Sequence, residues 1–136
     1  MEEVYIPGDL VMGKDKPNVV WRVIGISSIA DDDILYSVES LEDSSIRMYL
    51  YGFQLTPIEL TPAILKNSGW ETQNKWYYFL GINRYSIRYL GIDFEHKSPK
   101  GNLYVESNNN NIIEIQYCHQ LQHLLFGLGL NSELKV

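Results

Sequence analysis

The chain holds one cysteine, Cys118, in 136 residues. A lone thiol excludes an internal disulfide framework and a four-thiolate zinc site. No apolar run approaches the ~18 residues that a membrane-spanning helix needs. The opening Met1-Glu2-Glu3-Val4-Tyr5-Ile6-Pro7 is acidic and broken by proline, unlike a secretory leader. There is no glycine-rich phosphate cradle and no Gly-x-Ser-x-Gly nucleophile elbow. Asp31-Asp32-Asp33 lacks the alternating ligands, central glycine and closing glutamate of a calcium loop, and reads as a solvated turn. These absences lead us to expect a soluble cytoplasmic protein without a cofactor.

Positive charge is also scarce, and unevenly so. Residues 1–59 carry four basic side chains against eleven acidic ones, a balance of −7, while residues 60–136 balance at +1. An acidic half of this kind repels phosphate and slows approach to nucleic acid. What the chain does have is apolar and aromatic content, 45% and 12% of residues, enough for a packed core.

Residues 1–58 read as five short strands joined by tight turns. Gly8-Asp9 turns the chain before Leu10-Val11-Met12. Val19, Trp21 and Val23 alternate onto one face, Ile34–Val38 follows the aspartate turn, and Ile46, Met48 and Leu50 form an inner face. Pro57 confines the strand within 53–60 to a sheet edge. Five strands in so short a stretch suggest a small β-barrel that closes to protect its edges, and their order with the opening Gly8-Asp9-Leu10-Val11 resembles an SH3-like barrel.

Residues 59–136 read as α-β-β-β-β-α. Thr61 is an N-cap, Pro62 fits the first helical position, and Gly69 supplies the left-handed stop after which Trp70 folds back on Leu65. Strands are expected at 76–80, 85–92, 103–107 and 112–117. Their inner parities are Trp76/Tyr78/Leu80, Tyr85/Ile87/Tyr89, Leu103/Val105 and Ile113/Ile115/Tyr117. The Asn108–Asn111 run is a hairpin turn. A last helix over 119–128 presents Leu121, Leu124, Leu125 and Leu128 at helical spacing. The expectation is thus an α+β chain: an SH3-like barrel subdomain, then a four-stranded antiparallel sheet with two helices on one face.

Leu60-Thr61-Pro62 with Ile64-Leu65, then Gly69-Trp70, then Tyr117 and His119-Gln120-Leu121-Gln122 with Leu124, resemble a family of small uncharacterised bacterial proteins. Members are often encoded in prophage-like or mobile elements. At position 123 the family pattern has Asn where this chain has His. The resemblance implies no activity.

Three groups of residues could carry chemistry. Cys118, His119 and His123 are the candidates for a metal, since histidines four apart share a helix face; the competing reading is structural, and no metal is expected. Asp93-Phe94-Glu95-His96-Lys97 contains the Glu-x-Lys pair of metal-dependent nucleases, but no aspartate occurs between Asp43 and Asp93 to complete it. Arg84 and Arg88, beside the outward Tyr77 and Phe79, could stack bases, contact a protein or simply pack. The function expected is a non-catalytic binding or accessory module with a protein partner. Nucleic-acid binding through the Arg84/Arg88 face is the alternative, and a metal-dependent enzyme the third reading.

Overall fold

The computed structural model describes residues 4–16, 18–30, 32–84, 87–108 and 110–136, without the side chains of Asn83 and Arg84. The expected place of Tyr85 on an inner face lies outside the described residues. The chain divides into two compact units. One comprises Met1–Ile58 with Gln122–Ser132, the other Glu59–Leu121 with Glu133–Val136. Each contains a five-stranded antiparallel sheet, and the described residues form two α-helices, so the α+β class holds.

In the first unit β1 (Leu10–Gly13), β2 (Val20–Ala30), β3 (Asp33–Ser40), β4 (Arg47–Tyr51) and β5 (Leu55–Pro57) lie in the order β4-β3-β2-β1-β5. The sheet is open rather than a closed barrel. Only the 3-10 turn Gly52–Gln54 separates β4 from β5, and it carries the chain to the opposite edge, onto β1. Val11, Trp21, Val23, Tyr36, Val38 and Leu55 form the core, with Tyr5 edge-on to the Tyr36 ring. Pro57 sits on an edge strand, where its missing N–H costs no ladder bond.

The inner face expected on β4 does not become core. Ile46 is 50% and Met48 45% exposed, and only Leu50 packs against the cluster. The alternation was real: Met48 stands opposite Val38 on the core side. An edge strand, however, is covered from one flank only.

In the second unit β6 (Glu71–Asn74), β7 (Tyr77–Arg84), β8 (Ile87–Lys97), β9 (Leu103–Ser107) and β10 (Asn110–Ile115) follow one another in the sheet. The four-stranded expectation is therefore corrected to five. All four residues of β6 are exposed, so no apolar periodicity marks that strand. The inner parity of β8 is also corrected: Leu90 and Ile92 are fully buried, not the Ile87/Tyr89 set. Both parities of β8 are apolar, and Gly91 leaves the Tyr89 side open for a neighbouring ring. Trp76 lies in the β6–β7 turn, 43% exposed, with the Lys75 ammonium 5.2 Å over its ring. Ile113 is 43% exposed beside a bulge, while Ile115 is buried.

Helix α1 (Pro62–Asn67) forms as its sequence dictates. Thr61 Oγ1 accepts from Ile64 N, Gly69 has φ +92°, and Trp70 N donates to Leu65 O at 3.0 Å, closing a Schellman turn. Helix α2 (Cys118–Gly127) opens in the second unit, where Gln120 Oε1 accepts from the Gln116 and Tyr117 amides. Its later residues, from Gln122, belong to the first unit. Leu121 and Leu125 are buried; Leu124 and Leu128 are only partly so.

Candidate protein-contact surface

The open edge at β4 presents both side chains and backbone. Ser40 N donates to Ile46 O at 2.9 Å, so the backbone groups of Ile46 point to β3. Strand alternation then directs Met48 and Leu50 to β3 as well, and turns the N–H and C=O of Arg47 and Tyr49 outward. Tyr51 N, also outward, is taken by Gln54 Oε1 at 2.9 Å, which ends the free stretch. Tyr49 is 66% exposed, and Tyr51 stacks on Phe53 with ring centroids 5.6 Å apart and planes 7° from parallel.

Carboxylates flank this edge. Asp43, in the turn before β4, has its carboxyl held below the usual range, chiefly by the Ser45 hydroxyl and amide. Asp33 Oδ1 lies beside Gly52, just past the far end of β4. The cation on the strand, Arg47, reaches Glu39 at 3.7 Å, which Arg22 also contacts at 3.3 Å.

The second sheet separates the residues that the sequence grouped. Tyr77 and Phe79 pair with Asp93 and Gly91, on the Tyr89 side of β8. By the pleat, Arg88 falls on the opposite side, with Leu90 and Ile92. Arg84 pairs with Ile87 along the backbone, and its side chain lies outside the described residues. In place of guanidinium, the Tyr77 face carries a carboxylate: Tyr77 Oη donates to Glu106 Oε1 at 2.5 Å. Burial first, then the hydrogen bond to Glu106 and its charge, push the Tyr77 phenol far above its ordinary ionisation range.

The three metal candidates each have other surroundings. Cys118 is fully buried, and that burial pushes its thiol up to about 12, away from the thiolate a metal requires. The buried His119 ring stacks on Tyr117, centroids 5.9 Å apart. His123 Nε2 lies 2.9 Å from both carboxylate oxygens of Asp9, whose side chain is 2% exposed. Among the described residues, the one group of three ligand side chains within reach of each other is Asp93, Glu95 and His96, with His96 Nδ1 2.7 Å from Asp93 Oδ2. Glu95 and His96 are solvent-exposed, Asp93 is half-buried, and Asp93 is already paired with His96.

Comparison with protein-family models, with curated proteins and with solved structures finds no match to the chain. Among the described residues no helix is long and apolar enough to cross a membrane. The β4 edge was missed as a surface because its residues look like core: period-2 apolar alternation is the same for a covered and an uncovered strand. The one sequence signal was position, since β4 ends the meander before the chain turns away.

Proposed function

We propose that the chain is a non-catalytic cytoplasmic binding module that contacts another protein. One observation carries the reading. Ile46, Met48, Tyr49, Tyr51 and Phe53 are all at least 41% exposed, along one edge strand, the residue before it and the turn after it. A clustered apolar surface of this kind, unlike scattered exposed side chains, marks an interaction site. The SH3-like strand order of residues 1–58, and two helices on one face of the second sheet, are the finer architecture that goes with it. Tyr77 and Phe79 offer a smaller second surface. Nucleic acid ranks below protein, because Glu106 and Asp93 share the Tyr77 face while Arg88 does not. The test is affinity capture from the native host with wild-type chain and with Met48→Ser/Phe53→Ser. A protein retained by the first and lost by the second supports the reading. Capture of nucleic acid alone, or equal capture by both chains, contradicts it.

A further inference from the structure

We infer that the partner adds an extended, cationic segment of its chain as a further strand along β4, an inference that rests on the protein-contact reading. Three observations converge on that strand. Its outer edge presents the N–H and C=O of Arg47 and Tyr49 in ladder geometry, the template that strand addition uses. Its two faces differ in chemistry. On the core side Met48 and Ile46 continue the row that begins at Val38, so alternate side chains of an added strand would meet apolar surface. On the other side stand Arg47, Tyr49 and Tyr51, opposite Glu39, Ser37 and Leu35, with Arg47 drawn back toward Glu39. Aromatic faces there accept lysine or arginine from the intervening positions.

Charge selects the same occupant. The strand lies between the carboxylates of Asp43 and Asp33, and Arg47 is drawn to Glu39. Residues 1–59 balance at −7, so a second copy of this edge would bring like charge to like. A segment alternating apolar with basic residues satisfies the backbone, both faces and the field together.

The backbone contribution can be tested apart from the side chains. Tyr49→Pro removes an N–H that points away from β3, which an edge strand tolerates. Tyr49→Val removes the ring and keeps the N–H. The probe is a short fluorescent peptide of alternating valine and lysine, titrated against the full chain, with a valine–glutamate peptide as its counterpart. We expect saturable binding of the lysine peptide alone, weakened by about tenfold or more in Tyr49→Pro and much less in Tyr49→Val. Thermal melts confirm that both variants fold; should Tyr49→Pro not fold, backbone N-methylation of the peptide makes the same test. Binding unaffected by either block overturns strand addition while leaving protein contact to the capture experiment. Equal binding of the glutamate peptide overturns the cationic partner. Self-association of the wild-type chain abolished by Tyr49→Pro would make the occupant a second copy, and also overturns the proposal.

Discussion

Gln122 uses both ends of its amide inside the first unit. Oε1 accepts from Leu10 N, while Nε2 donates to the carbonyls of Gly8 and Ser132, each at 3.0 Å. The side chain is buried, so water cannot replace what a substitution removes. Gln122→Leu keeps the approximate volume and strips three hydrogen bonds; orphaned buried groups cost about 1–3 kcal/mol each, less where water reaches them. A loss of about 2–4 kcal/mol in denaturant unfolding is the expected outcome, and an unchanged midpoint would refute the clamp. The exposed Asp93–His96 pair gives a prediction in pH instead. Partial burial alone would raise the Asp93 carboxyl, but the His96 ring and the Glu95 amide outweigh it and leave it below the usual range. The Asp93 hydrogen bond, then its charge, raise His96. Asp93 therefore contributes above the ordinary carboxyl range and loses its contribution as pH falls through its lowered value. His96 contributes fully below its ordinary ~6.5 and loses that as pH rises through its raised value. An NMR titration should place the His96 midpoint above ~6.5, returning to it in Asp93→Asn.

Strand β4 and helix α1 mark the limits of what the sequence makes legible at the scale of an element. Met48, although on the core side, is 45% exposed at an uncovered edge, so Met48→Ser is expected within about 0.5 kcal/mol of wild type. Val38→Ser, directly opposite and fully buried, should cost several times more in the same unfolding experiment. Equal costs would mean that β4 is covered. Helix α1 was readable residue by residue, because caps are local: Thr61, Pro62 and Gly69 act within a few positions of themselves. So were the turns at Gly8-Asp9 and at Asn108, where φ is +96° and +51°. Sheet facing was not local. Apolar residues on both parities of β8 left its face to be decided by Tyr77, whose ring lies where a Gly91 side chain would stand. Strand β6 pairs through its backbone with nothing apolar to announce it. The grouping of Arg88 with Tyr77 failed for the same reason as the β8 parity, since both depended on which way the pleat runs.

At the scale of the molecule, the chain passes from one compact unit to the other at residue 58, where its sequence pattern changes, and crosses again within α2 and after Ser132. Residues 1–58 look self-sufficient in strand order, yet their compact unit includes Gln122–Ser132. That later segment supplies what the first turn cannot. The Asp9 carboxylate is nearly inaccessible; it accepts from Ile6 N at 2.9 Å, and the His123 ring faces it from α2. A carboxylate buried beside a removed partner is among the most destabilising defects a small domain can carry, about 3–5 kcal/mol where a true ion pair is broken. Loss of the Gln122 bonds to Gly8 and Leu10 adds to it. Domains of this size hold only ~5–15 kcal/mol in all. A fragment of residues 1–58 is therefore expected to show no cooperative thermal transition, although it keeps all five strands. Gln122→Leu and His123→Ala in the full chain should each lower the midpoint, because they remove part of what the fragment lacks. The fragment melting cooperatively at the full-length temperature would refute the dependence. It would also make Gln122–Ser132 dispensable to the first unit.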